Sequence, residues 1–195
     1  MARAARKTAA GRPAAPKVAR RAALQGRATG HPWVSVTPAQ EASRLLLRAP
    51  RASLAALSQA LGLELPARPK TSAGKGGRAA LWLGPDEWLV IGEAGDDPAA
   101  AVAAVTAFHS AVDVSHRNVG ILVAGRAAEA TLAGGCPQDL SLAAFPVGAC
   151  SRTVLGKIEI VLWRTGEEAF RVECWRSFCD YAFTFLAEAA RDAGA

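Results

Sequence analysis

Asp113, Ser115 and His116 lie within four positions of one another and supply the side-chain types of a hydrolytic triad: an acid to orient, an imidazole to take a proton, a hydroxyl to attack. Their spacing argues against that use. Alternate residues of a strand face opposite sides, so Asp113 and Ser115 share a face and His116 takes the other. The expected role is a strand end whose polar side chains close a turn. Cys136, in Gly134-Gly135-Cys136-Pro137-Gln138-Asp139, is the candidate nucleophile. It follows a helix C-terminus, where the dipole disfavours a thiolate, so a small buried residue is expected instead. Gly74-Lys75-Gly76-Gly77 is glycine-rich and basic. A phosphate loop needs GxxxxGK[ST] between strand and helix, and here a strand follows, so the segment reads as a flexible loop.

Metal chemistry lacks its spacings. His31, His109 and His116 form neither HxH nor HxxxH, and Cys136, Cys150, Cys174 and Cys179 contain no CxxC pair. A secreted disulfide scaffold is shorter and denser in cysteine, which makes these four reduced thiols of a cytosolic protein. Trp82, Trp88, Trp163 and Trp175 fall in or at the ends of expected strands. Any of them left on an outer face is a strong anchor for a partner protein.

The elements that position these residues follow from periodicity. Arg44 to Arg48 reads as a strand, and Ser53 as the cap of a helix that carries Leu54, Leu57 and Leu61 and ends at Gly62. Residues 66–78 read as a loop. Strands at 79–83 and 87–91 flank Gly84-Pro85-Asp86, a turn between antiparallel neighbours. Asp97 caps a helix with Pro98 at its first position and Val102, Val105 and Phe108 along one face. The second half repeats the rhythm: strands at 112–115 and 119–123, a helix at 126–133, a meander at 150–155, 158–163 and 169–175, and a closing helix. That helix carries Phe178, Tyr181, Ala182, Phe185, Leu186 and Ala189 on one stripe behind an N-cap at Ser177. In the last strand Phe170, Val172 and Cys174 face one way, Arg171 and Glu173 the other. Such grouping argues for an α+β fold with antiparallel sheets, its two halves packed together or exchanging strands.

The 195 residues are 51% hydrophobic and 21% charged, a globular composition. No apolar stretch approaches the ~20 residues of a membrane span. The net charge of +6 is uneven: residues 1–27 hold eight of the 23 basic residues and no acid, leaving 15 basic against 17 acidic residues beyond them. Basicity therefore resides in a tail, expected to be disordered over residues 1–30, and no nucleic-acid partner is expected of the body. The expected organisation is this tail, a first α+β half at 31–110 and a second at 111–195.

Four segments in order resemble a known family: Ala79-Ala80-Leu81-Trp82-Leu83-Gly84-Pro85-Asp86-Glu87-Trp88-Leu89; Val112-Asp113-Val114-Ser115-His116; Gly135-Cys136-Pro137-Gln138-Asp139-Leu140; and Phe145 to Cys150 followed by Leu155-Gly156-Lys157-Ile158. Over roughly residues 33–192 the chain resembles the gamma subunit of heterotetrameric sarcosine oxidase, which in turn is similar to the folate-binding fold of glycine-cleavage aminomethyltransferases. The resemblance implies ferredoxin-like βαβ-type halves with exchanged strands. It implies a cytoplasmic complex that oxidatively demethylates sarcosine to glycine, making peroxide and either formaldehyde or methylenetetrahydrofolate. Alpha and beta subunits there hold NAD, FAD and FMN, and delta holds zinc. The gamma chain packs directly on alpha, meets beta and delta through the complex, and has no assigned cofactor, metal or catalytic residue. Where the transferases carry an acidic pair, this sequence has Gly156-Lys157-Ile158-Glu159-Ile160, so the paired aspartates are absent. A noncatalytic subunit is thus expected, with Trp82, Trp88, His116 and Trp175 as its interface candidates. The alternative is a free-standing folate-dependent aminomethyltransferase-like or repair protein.

Overall fold

The computed structural model describes residues 21–193. The expected tail lies outside the described residues over 1–20. Its last ten residues do not follow the expectation: Leu24 is buried in the core, and strand β1 (Thr29–His31) begins before residue 30. A few side chains disappear in a composition average, yet Leu24 packs in the core and Arg27 pairs with Asp180 at 2.6 Å and lies over the Phe183 ring, so the segment is held on the body.

β1 makes a hairpin with β2 (Val34–Pro38). Next come β3 (Ser43–Arg48), α1 (Leu54–Leu61), β4 (Ser72–Lys75), β5 (Arg78–Gly84), β6 (Glu87–Gly92), α2 (Pro98–Val102) and β7 (Ser110–Asp113). The second half contains β8 (Asn118–Ala124), α3 (Ala128–Ala133), β9 (Cys150–Leu155), β10 (Ile158–Gly166), β11 (Ala169–Trp175) and α4 (Cys179–Asp192). Strand order is β4-β5-β6-β3-β7 in the first sheet and β1-β2-β8-β11-β10-β9 in the second, and all neighbours are antiparallel. The two runs β3–α1–β4–β5–β6–α2–β7 and β8–α3–β9–β10–β11–α4 share one plan. Among the described residues no strand follows the last helix of the second run, and β2 takes the corresponding seat, pairing with β8 as β7 pairs with β3. The halves therefore exchange strands, and β7, at Ser110–Asp113, belongs to the first sheet.

Period-two alternation builds the layers. In β6, Trp88 and Val90 face α1 and α2, while Leu89 and Ile91 face the other sheet; in β10, Ile160 and Leu162 face α3 and α4, while Val161 and Trp163 face inward. The result is helices, sheet, sheet, helices, with an apolar layer at each junction. Arg164, with none of its side chain exposed, lies under the segment between α3 and β9. It donates to the carbonyl of Leu140, to Glu129 Oε2 at 3.0 Å and to the Glu167 carbonyl at 2.5 Å, with its guanidinium over the Phe170 ring.

Several local readings need correction. Asp97 does cap α2, accepting from Ala100 N at 2.9 Å, but the helix stops at Val102 and Phe108 is 84% exposed. Beyond Val102 only Val105 offers a large side chain to the helix-layer core, and Ser53 Oγ donates to the Phe108 carbonyl instead of capping α1. The 66–78 loop contains β4, an edge strand held by pairing with β5 despite its weak strand propensity. A 3-10 turn at Arg176–Phe178 precedes α4, so Ser177 caps nothing. The buried stripe of α4 is Cys179, Ala182, Phe183, Leu186 and Ala190, which turns Tyr181 and Phe178 outward. Among the described residues no helix is long and apolar enough to cross a membrane.

Candidate functional site: an aromatic end face beside a buried ion triad

The Asp113–His116 segment is the turn between β7 and β8. Asp113 Oδ1 accepts from Ser115 N at 2.8 Å, and Ser115 Oγ accepts from Arg44 N at 2.8 Å. Hydrogen bonds from Ser115, helped by the positive field of His116, hold Asp113 below the usual carboxylate range. Ser115 Oγ is thus engaged with backbone and no acid-base-nucleophile line forms. The four cysteines are buried and unbonded to one another. Burial pushes the Cys150 and Cys174 thiols up to about 12 and raises Cys179 as well, which keeps these three protonated and non-nucleophilic at neutral pH. Cys136 is 4% exposed behind α3. Glu159 is a half-exposed strand residue 3.9 Å from Arg152 Nε.

Of the four interface candidates, Trp88 is 1% exposed, and its indole N–H donates to the Pro66 carbonyl at 2.8 Å, so it belongs to the core. It faces the helices because β6 is covered on both sides. Trp82 is half-buried in the same layer. His116 and Trp175 are both exposed and come to one end of the second sheet, where Asn118 pairs with Trp175 and Arg176 N donates to the Arg117 carbonyl at 2.7 Å. Trp175 stacks on Phe178 with ring centroids 6.1 Å apart, and the Arg117 guanidinium lies 4.5 Å above the indole. Tyr181 continues the ridge one turn into α4 and accepts from Lys157 N at 3.2 Å. Trp175, Phe178 and Tyr181 are 42%, 41% and 38% exposed. A solvent-facing row of Trp, Phe and Tyr with an arginine above it has the composition of an interface core. Phe178 and Tyr181 escaped the sequence reading because their spacing also fits a buried stripe.

Behind this face runs a charged cluster built on the side of β11 opposite Phe170, Val172 and Cys174. Glu173, 2% exposed, accepts from Arg44 Nε at 2.6 Å and Nη2 at 3.1 Å, and from Arg171 Nε at 2.8 Å. Arg44 is 5% exposed and stands on β3, so the triad joins the two sheets and holds two cations against one anion. Gly120 lies opposite Glu173 in β8, and a Cβ there would come within 2.8 Å of Glu173 Oε1. Alternation places Arg171 and Glu173 on the face opposite the helices. Only the presence of a second sheet on that face makes it an interior.

The family model described as "Sarcosine oxidase, gamma subunit family" matches residues 48–192. This chain belongs to the sarcosine oxidase gamma subunit family. Its relatives include the sarcosine oxidase subunit gamma of Corynebacterium sp. strain P-1 and that of an Arthrobacter species. Each is 36% identical over 138 residues, covering 69% of this chain and 68% of the relative. Among solved structures, a chain of the heterotetrameric sarcosine oxidase from Corynebacterium sp. U-96, in complex with pyrrole 2-carboxylate, superposes with a TM-score of 0.75 and 33% identity. That match covers 83% of this chain and 86% of the other. The glycine cleavage system aminomethyltransferase T of Bartonella henselae gives a TM-score of 0.62 at 13% identity, covering 82% of this chain and 46% of that one, a likeness of fold. Relation to the gamma subunit family and the aminomethyltransferase-like α+β fold agree with the resemblance carried by the four sequence segments.

Proposed function

We propose that this chain is the gamma subunit of a heterotetrameric sarcosine oxidase and that its contribution is structural. It packs on the alpha subunit and, through it, joins beta and delta. The cytoplasmic assembly oxidatively demethylates sarcosine to glycine with release of peroxide and formaldehyde or methylenetetrahydrofolate. FAD, FMN, NAD and zinc reside on the other subunits. The two α+β halves serve as one platform, tied together by the Arg44–Glu173–Arg171 triad, and the work of the platform is to present a rigid surface.

The observation that carries this reading is the ridge of Trp175, Phe178 and Tyr181 with Arg117 above it, apolar area that a stable subunit contact would cover. His116, at the same end, lies at its margin, and Trp82 and Trp88 are left out of the contact. Truncating a central aromatic anchor costs about 2 kcal/mol or more in such interfaces. The test co-expresses the tagged full-length chain with the alpha, beta and delta subunits. The tagged chain should bring down a yellow, flavin-bearing complex. Trp175→Ala with Phe178→Ala should lower recovery of the alpha subunit at least about tenfold at an unchanged melting temperature. Full recovery with the double variant, or a chain that never meets alpha, overturns the reading.

A further inference from the structure

The two sheets share a plan but not a width: the first has five strands and the second six. β7 beside β3 corresponds to β2 beside β8, and β2 has β1 on its outer side. Among the described residues nothing takes the corresponding place beside β7, so the first sheet ends there. Val114 N donates to the Arg44 carbonyl at 2.9 Å, which fixes the phase of the ladder between β3 and β7. Antiparallel partners exchange hydrogen bonds at every second residue. Ser110 and Val112 therefore turn their amide and carbonyl groups toward β3, while Ala111 and Asp113 turn theirs away from the sheet. An open row of this kind is a template for a further strand, and native edges commonly block it with lysine, proline or a bulge. β7 has none of these.

The side chains around this edge suit a particular occupant. By register Val112 stands beside Leu46 on the face toward the second sheet, and it is 51% exposed. Leu46, Val114, Arg117 and Trp175 line one crevice between the sheets, so the apolar row that begins at Val112 runs on to the aromatic ridge. Phe108, 84% exposed, stands just before β7 with its carbonyl held by Ser53 Oγ at 2.8 Å, which presents the ring on a fixed backbone. The opposite face of the edge is acidic: Asp113 shares a cleft with Asp96 and Asp97 at the start of α2. Arg44, the cation of that lining, is already taken by Glu173.

We propose that β7 accepts an extended segment of the alpha subunit as a sixth, antiparallel strand of the first sheet. Main-chain groups of that segment pair with Ala111 and Asp113, which supplies affinity, and its side chains supply the selection. Those on one face are apolar and reach Val112 and Phe108; on the other a lysine or arginine meets Asp113 and Asp97. Strand addition carries the contact from the ridge onto the first sheet, so both halves hold one partner. This inference rests on the subunit reading above and adds to it the place and form of a second contact.

The test compares hydrogen exchange at single amides of the full-length chain, free and in the co-expressed complex. The Ala111 and Asp113 amides should exchange at least about tenfold more slowly in the complex, and the Val112 amide, already bonded to β3, should change less. Ala111→Pro removes an outward donor at a position where an edge strand tolerates proline, and Val112→Lys puts a charge on the apolar side of the edge. Each should lower recovery of the alpha subunit about fivefold at an unchanged melting temperature, the worth of one hydrogen bond. Val112→Lys, at an exposed site, carries this arm where the proline unfolds the chain. A recovered complex whose Ala111 and Asp113 amides exchange as in the free chain overturns the inference and leaves the subunit reading standing. Uniform slowing over residues 110–113 does the same, because a cover that lies over the edge without pairing gives no alternation. Full recovery with both variants also overturns it, and a chain that never meets alpha overturns both readings.

Discussion

Changing Glu173 to Gln removes one charge and keeps the shape. In the wild-type chain the carboxylate lies between Arg44 and Arg171 with nitrogen–oxygen distances of 2.6–3.1 Å, and its side chain is 1% exposed. A unit charge pair about 4 Å apart attracts by about 4 kcal/mol at an effective dielectric near 20. Glu173→Gln loses two such attractions and leaves two guanidinium groups repelling each other inside the protein. Partial relaxation of Arg171, 15% exposed, toward solvent offsets part of the loss. The expected cost is that of breaking a buried pair, about 3–5 kcal/mol. At about 2–4 °C per kcal/mol for a chain of this size, the melting temperature should fall by roughly 6–20 °C. Denaturant unfolding of the full-length chain, followed by tryptophan fluorescence and far-UV dichroism together, measures the loss. Two companions test the cause. Arg171→Met leaves a neutral Arg44–Glu173 pair and should cost clearly less than Glu173→Gln. Replacing all three by Met, Leu and Met should restore much of the stability, because a well-packed apolar substitute needs no desolvation of charge. If Glu173→Gln lies within about 1 kcal/mol of wild type, the range of ordinary point substitutions, the triad is not what holds the sheets together.

Two further outcomes follow from single sites. Gly125 has φ +124°, and a Cβ there would lie 2.3 Å from the Trp33 carbonyl oxygen, which is backbone, so Gly125→Ala should lower the unfolding free energy by more than about 2 kcal/mol in a urea titration; a change under half that size contradicts the close approach. Arg78 grips Asp96 through two 2.6 Å hydrogen bonds and holds that carboxyl below its usual range. A depressed pKa means stability present above the ordinary carboxylate pKa of about 3.9 and lost as pH falls through the folded value. Wild type should therefore exceed Asp96→Asn in stability by on the order of 1 kcal/mol at pH 7, with the gap closing in acid. A gap that persists at pH 2 would place the effect elsewhere.

Much of this architecture was legible from residue spacing. The Gly84-Pro85-Asp86 turn, the Asp97 cap with Pro98, the three-strand meander and the glycine stop after α3 are local signals, and local geometry carried them through. What spacing cannot convey is which face meets another sheet. Glu173 and Arg171 alternate with Phe170, Val172 and Cys174, a pattern identical to that of a half-solvated strand; the partner that buries them, Arg44, is 129 positions away from Glu173. The α4 stripe slipped for a related reason. Two overlapping apolar stripes exist on that helix, and packing over β2 and α3 selects the one with Phe183. Of the interface candidates, Trp175 and His116 were placed on the surface by ending a strand and opening a turn. Trp88 was lost to the core because a Trp in a covered sheet has two interior sides available.

The seat that β2 occupies in the second sheet sets a timetable for synthesis. β2 ends at Pro38, and its partner β8 begins at Asn118, 80 positions later. At about 5–20 residues per second, a ribosome delivers that partner roughly 4–16 s after β2 has been made. β3 through β7 can close their own sheet in this interval, whereas β2, paired with β1 on one side, waits with the ladder groups of its other side open to water. The second sheet is then completed from both ends of the polypeptide, β8 receiving β2 on one side and β11 on the other. A stalled nascent chain ending before residue 118 thus has a formed first half and an unspent strand at its head, ready to pair with whatever edge it meets first.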